Sequence, residues 1–351
     1  MSWITGLARP EIAQLKSYEH AVWEAGLERL HANELPWRAP GDESEAGLNR
    51  YPEPQPRELI RGLAALYDVP VASVLAGRGS DEMIDLLLRV FCRAGQDSIV
   101  ICPPTFGMYA VSARIQGAGI LTVPLLAAQG FALDESALLD ACSPSVKLVF
   151  LCSPNNPTGN ALDESMVLRI AAGLKERTLL VVDEAYVEFA SGQSLSRHLD
   201  AYPNLVILRT LSKAHGLAGA RCGALLANAE IVGLLRKVIP PYAIPQLTVE
   251  AALRLLQPPQ LAVMRSRIDT VRAERARLAT ALMALPAVER VWPSEANFLL
   301  VELADADRAL KRAREAGLLI RDVRAQPGLG RALRISIGTQ NQNDRLLEAL
   351  K

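Results

Sequence analysis

The stretch TLLVVDEAYVEF, residues 178–189, sets a run of five apolar or β-branched residues in front of two adjacent acids. A run this short, rich in valine and closed by polar residues, reads as a buried β-strand with Asp183 and Glu184 at its carboxyl end. A carboxylate in such a place is costly to bury unless it meets a cation. Two questions follow: which sheet holds the strand, and what Asp183 meets.

Similar runs stand on both sides: DSIVIC at 97–102, VKLVFLCS at 146–153 and NLVILRT at 204–210. Segments of helical length and pattern lie between them, among them DEMIDLLLRVF (81–91) and DESMVLRIAAGLKE (163–176). The alternation predicts an α/β fold, a mostly parallel sheet sandwiched by helices. Ligands of such sheets bind beyond the carboxyl ends of the strands. Residues 104–109, 155–159, 183–186 and 210–213 therefore converge on one crevice. Past Pro245 the texture changes. Leu261, Met264, Ile268, Val271, Leu278, Leu282 and Leu285 mark one face of a long helix. Strand and helix signals then alternate to the end as a smaller α+β unit. The expected division is a large unit over 46–243 and a small one built from 1–45 and 244–351. No internal repeat or low-complexity tract interrupts either.

A chain of 351 residues, half of them hydrophobic, suits two units with sizeable cores. Lys plus Arg and Asp plus Glu both total 38, so no net field draws it to nucleic acid or to an anionic membrane. Any anion must be caught locally. The five cysteines form no C-x-x-C pair and lie beside apolar runs, which suits buried thiols in a reducing compartment. No secretory pattern opens the chain, and no apolar run reaches the roughly 18 residues of a membrane span. A cytoplasmic protein without membrane or nucleic-acid partners is expected.

In LRTLSKAHGLAGARCG (208–223), Lys213 follows a strand and is flanked by small residues. Such a lysine can approach a flat cofactor, its amine desolvated enough to attack an aldehyde; an isolated Ser-Lys pair reads equally as a surface turn. Asp183 lies 30 residues upstream, about one α/β unit away. It could cap a helix or bind a metal, but a protonated pyridine nitrogen also answers its need for a cation, as in enzymes that use pyridoxal 5'-phosphate (PLP). The turn SPNNPTG (153–159) is ordinary punctuation. Its Asn156, together with Tyr186, could nonetheless donate to a ring phenolate oxygen. AGRGSDEMIDLLL (76–88) leads small residues into a helix start whose free N–H groups suit a phosphate. Ser80 or Asp81 could instead simply cap that helix. Arg221 could add charge to the phosphate, and Phe106 of PPTFGMY could cover a ring face.

In order along the chain, HANE (31–34), NRYPEPQP (49–56), GSDE (79–82), PPTFGMY (103–109), SPNNPTG, VVDEAYVEF (181–189), TLSKAHGLAGARCG (210–223) and RDVRAQPGLGRALRISIGT (321–339) resemble the fold-type I PLP-dependent aminotransferases, most closely the histidinol-phosphate aminotransferase family. The resemblance implies that Lys213 forms the internal aldimine with PLP and later moves the substrate proton. Asp183 would pair with the pyridine nitrogen, Asn156 and Tyr186 with the phenolate oxygen, and Phe106 would stack on the ring. Ser80, Asp81, Thr210, Ser212 and Arg221 would hold the cofactor phosphate, joined by Tyr51 from the other subunit of a homodimer. Arg334 would grip the glutamate carboxylate, and Arg321, Tyr18 and Asn33 the substrate phosphate. Phe106 stands where many relatives have tyrosine, and Leu35 where many have a second asparagine.

The function so implied is amino transfer between L-histidinol phosphate and 2-oxoglutarate, a step of histidine biosynthesis. An aromatic amino-acid aminotransferase or a threonine-phosphate decarboxylase of the same fold is the alternative. A nicotinamide-binding oxidoreductase would need a third glycine where Glu82 stands. A non-catalytic regulator of this fold would bring a basic DNA-binding module, for which the chain has neither room nor charge.

Overall fold

A computed structural model describes residues 2–19, 21 and 26–351. Eleven strands fall into two sheets among these residues. The first comprises β1 (Val74–Gly77), β2 (Ser98–Ile101), β3 (Gly119–Thr122), β4 (Val146–Cys152), β5 (Leu179–Asp183), β6 (Leu205–Thr210) and β7 (Gly223–Ala227). Its order is β1-β7-β6-β5-β4-β2-β3, parallel from β6 to β3, with β7 antiparallel to both neighbours. The second comprises β8 (Val288–Val291), β9 (Phe298–Leu303), β10 (Arg321–Asp322) and β11 (Ala332–Ser336), antiparallel in the order β10-β11-β9-β8.

Twelve helices accompany them: α1 (Trp3–Leu7), α2 (Pro10–Ala13), α3 (Arg57–Tyr67), α4 (Ser80–Phe91), α5 (Met108–Gln116), α6 (Glu135–Ala141), α7 (Glu164–Leu174), α8 (Ala229–Arg236), α9 (Gln246–Leu255), α10 (Pro258–Met283), α11 (Ala306–Glu315) and α12 (Gln340–Leu350). Both faces of the large sheet are covered. Leu180 and Val182 of β5 pack with α3, α7 and α9 on one side, while Leu179 and Val181 join α4, α5 and α8 on the other. This two-residue alternation sends consecutive side chains to opposite faces, so Asp183 and Glu184 part company at the strand end. Asp183 turns toward α5, and Glu184 meets Arg209 on the other side.

The small sheet is backed by Leu278 and Leu282 of α10, Ala309 and Ala313 of α11, and Leu346 and Leu350 of α12. The expected long helix is present as α10, but Leu285 of the stripe falls beyond its end, and only Ile268, Leu278 and Leu282 of the stripe are buried. The N-terminal stretch departs from expectation: Ile4 and Ala8 belong to the core of the large sheet, against α8, and not to the small unit. Ile4 and Ala8, with Trp3 and Leu7 beside them and the Ser2 and Thr5 hydroxyls bonded to Glu230 of α8, dock a helix of one and a half turns there. Of the rest of the expected N-terminal arm, residues 1, 20 and 22–25 lie outside the described residues.

Candidate active site

Parallel strands deliver their carboxyl ends to one edge of the sheet. There the segments after β2, β4, β5 and β6 enclose a cavity of about 620 Å³, bounded on the small unit's side by residues 321–323, Ala325, Gln326 and Arg334. It lies beside the switch point between β2 and β4, where α/β sheets open a crevice. Ser80, Asp81, Phe106, Asn156, Asp183, Tyr186, Thr210, Ser212, Lys213, Arg221, Arg321 and Arg334 all line it. A second groove of similar volume, between Arg78, Arg89 and Thr248, contains Arg221 but no other of these residues.

Asp183 is 2% exposed. Tyr109 Oη donates to its Oδ2 at 2.7 Å, and the Ala185 N–H to its Oδ1 at 3.1 Å. Burial pushes the carboxyl up to about 6, against the pull of these two donors and the Lys213 charge. Lys213 faces the same cavity, its Nζ 5.6 Å from the centroid of the Tyr186 ring. Partial burial, followed by the nearby Arg334 charge, lowers the lysine below its usual range. A weakened ammonium and a raised carboxyl in one cavity are poised to exchange protons with a ligand.

Asn156 is buried, and each end of its amide is engaged. Nδ2 donates to Tyr186 Oη at 3.4 Å, while Oδ1 accepts from Arg334 Nη1. The arginine of the small unit thereby orients an amide of the large one. Tyr186 rests edge-on against Phe298, with centroids 5.2 Å apart, and burial raises its phenol. Behind it, Asn155 binds the Pro104 carbonyl at 2.9 Å and accepts from Thr105 Oγ1 at 2.9 Å, tying the loops after β2 and β4 together.

At the other end, α4 starts at Ser80 after Gly79, which has φ +85° and provides no side-chain cap. Neither Ser80 nor Asp81 caps the helix, so its first N–H groups face the cavity with the dipole behind them. Arg221 pairs with Asp81 at 3.1 Å and reaches Ser212 Oγ at 3.3 Å, and Thr210 Oγ1 accepts from the Ser212 N–H at 3.1 Å. A Cβ on Gly223 would stand 2.6 Å from the Gly79 carbonyl carbon and 2.8 Å from Ser80 N. The missing side chain lets β7 press against this cradle.

Arg321 and Arg334 are direct cross-strand partners on β10 and β11, so both guanidinium groups emerge on one side. The Asp322 carboxylate is engaged by Arg324 at 3.0 Å, not by Arg321. Three of the expected residues are not gathered here within a single chain. Tyr18 lines a separate groove with Arg236 and Lys237, Asn33 lies exposed on the arm with φ 56°, and Tyr51, half exposed, stacks on Tyr242 at 4.5 Å. Two residues were missed by sequence reasoning. Asn155 was hidden behind its neighbour in a turn motif, and Tyr109 resembled any aromatic at a helix start. Only the face that Asp183 takes at the end of β5 points to Tyr109.

The chain belongs to the aminotransferase class I and II family, whose model it matches over residues 21–350. It is 49% identical to the histidinol-phosphate aminotransferase of Stenotrophomonas maltophilia, over 99% of this chain and 96% of the relative. It is 46% identical to that of Xanthomonas axonopodis pv. citri, over 100% and 97% respectively. The crystal structure of histidinol-phosphate aminotransferase from Sinorhizobium meliloti in complex with pyridoxal-5'-phosphate superposes with a TM-score of 0.78 at 27% identity, covering 86% of this chain and 82% of that one. The family read from the motifs is therefore right, as is the fold class. No helix among the described residues is long and apolar enough to cross a membrane.

The site suits PLP on its own chemistry. A buried carboxylate with a raised pKa wants a cation, a partly desolvated amine stands in the same cavity, and an uncapped helix start next to Arg221 wants an anion.

Proposed function

We propose that this chain is a PLP-dependent transaminase acting between L-histidinol phosphate and 2-oxoglutarate, giving imidazole acetol phosphate and glutamate in histidine biosynthesis. The observation that carries the reading is the Arg321–Arg334 pair over the cavity that holds Lys213 and Asp183. Two adjacent guanidinium groups match a phosphate ester in one half-reaction and a carboxylate in the other.

PLP, when bound, supplies the electron sink for loss of the substrate Cα proton. In our reading, Asp183 faces its ring nitrogen, and Asn156 Nδ2 with Tyr186 Oη faces its ring oxygen. Phe106 covers the ring. The N–H groups of Ser80 and Asp81, with Thr210, Ser212 and Arg221, hold the phosphate. Lys213 Nζ would hold the cofactor and, when free of it, would take the proton from the substrate Cα and return it. Arg334 orients the carboxylate and Arg321 the phosphate ester, which aligns the Cα–H bond with Nζ.

Tyr51, Tyr18 and Asn33 lie outside the cavity of their own chain, and Leu30, Leu35 and Trp37 nearby are largely exposed. We infer a homodimer in which this arm covers the neighbour: Tyr51 reaches the cofactor phosphate there, and Tyr18 and Asn33 the substrate. We place the large unit at 46–243 together with α1 and α9, whose apolar side chains lie in its cores, and the small unit in the rest of 244–351. The five buried free thiols suit a cytoplasmic enzyme.

Initial rates with 2-oxoglutarate as acceptor test the substrate. Histidinol phosphate should exceed phenylalanine in kcat/KM by at least about 100-fold, the discrimination expected when the substrate lacks the phosphate that Arg321 would bind. Comparable rates with phenylalanine, or carbon dioxide released from O-phosphothreonine, would reject the assignment.

A further inference from the structure

We propose that Tyr109 is a positioning residue for Asp183: its phenol proton holds the buried carboxylate in the ionised form and orientation that a protonated pyridine nitrogen requires. The inference rests on the PLP reading above and adds a residue to it.

Tyr109 is fully buried in the first turn of α5. Its ring stacks on Phe150 at 4.8 Å and 13°, with Phe106 edge-on at 5.6 Å. These apolar faces fix the ring, and the one oxygen it carries reaches Asp183 Oδ2 at 2.7 Å. Asp183 has one further hydrogen bond, from the Ala185 N–H to Oδ1. Among the described residues the hydrogen bonds to this anion thus come from two donors, one on each oxygen, and only Tyr109 belongs to another element of the fold. Burial raises the phenol well above its ordinary value, so Tyr109 keeps its proton and acts as a donor throughout the working range. Without it, a desolvated carboxylate would hold its own proton more tightly and meet the ring nitrogen as a neutral acid.

Tyr109→Phe keeps the ring and its packing and removes only the donor. The variant should melt within a few degrees of the native protein. Its dissociation constant for PLP, followed by protein fluorescence, should rise about 10- to 100-fold, the loss expected for a hydrogen bond to a charged group. The pH midpoint of the visible band of the lysine-bound cofactor should move up by about one unit, because a less protonated ring withdraws less charge. In an Asp183→Asn background the same substitution should change neither quantity. A packing role alone would shift the melting temperature and leave the midpoint in place.

Unchanged affinity and midpoint in Tyr109→Phe, or equal losses with and without Asp183, would overturn the proposal. Native protein that forms no visible band with PLP would instead overturn the functional reading beneath it. Should Tyr109→Phe not fold, 3-fluorotyrosine at position 109, a stronger donor, should move the midpoint down, and an unmoved midpoint would count as refutation.

Discussion

Arg321 and Arg334 occupy directly opposed positions on β10 and β11, two cations on one face of a strand pair with no carboxylate of the described residues bonded to either. Partial burial lowers the Arg334 pKa, and the Arg321 charge lowers it further. Like charges placed side by side destabilise an empty site, and an anion between them relieves the repulsion. Arg321→Ala should therefore raise KM for histidinol phosphate about 10- to 100-fold while changing KM for 2-oxoglutarate far less. Arg334→Ala should damage both half-reactions. Steady-state kinetics with each substrate varied in turn separate the two arginines.

Asp183 makes cofactor binding depend on pH in a definite direction. Its folded value of about 6 lies above the ordinary carboxyl range. A carboxyl raised by folding binds its proton more tightly in the native state. The cofactor-free protein thus loses stability as pH rises from about 4 to 6, by roughly 3 kcal/mol, and bears the full cost above that window. A bound cation at the ring nitrogen removes the cost. The rise in melting temperature on adding PLP should accordingly be several degrees larger at pH 8 than at pH 5. Asp183→Asn should level the two, and an unaltered difference in that variant would place the titration elsewhere.

The alternation of β5 that sends Asp183 to the site sends Glu184 to a buried charge cluster behind it. Arg209 pairs with Glu188 at 2.7 Å and Glu184 at 3.6 Å, and its guanidinium lies 4.4 Å over the Tyr67 ring. Arg209→Met should leave two buried carboxylates uncompensated and cost about 3–5 kcal/mol in urea unfolding. A loss under 1 kcal/mol would mean that water already reaches the cluster.

Gly223 tests the phosphate cradle. Gly223→Ala places a methyl against Gly79 and Ser80 N, so the start of α4 must shift. PLP affinity should fall at least about tenfold, since each displaced donor to a phosphate contributes more than 1 kcal/mol. Pyridoxal, which lacks the phosphate, should bind the variant and the native protein alike.

Much of this was legible before any coordinates. The valine-rich runs ending in Asp183, Cys152 and Thr210 are long enough and apolar enough to be strands in almost any context. The strand-end rule then located the crevice. β1 and β7, VLAG and GALLA, escaped notice because alanine and glycine carry little strand propensity; their pairing with each other and with β6 makes them strands. β10 is only two residues long, and its importance lies in register, which no local pattern reveals. Tyr109 and Arg209 were invisible for a related reason. Each earns its place by meeting a residue dozens of positions away, across a face fixed only once the sheet is assembled. Tyr18, Asn33 and Tyr51 were named through family likeness, and a single chain does not bring them to the cavity.

The most direct test uses purified protein saturated with PLP and given histidinol phosphate alone. The visible band should bleach in proportion to the enzyme present and return when 2-oxoglutarate is added, while Lys213→Ala, still folded, should lose at least about a thousandfold in the rate of bleaching. A band that persists in histidinol phosphate, or a Lys213→Ala protein that bleaches at the native rate, would contradict the account.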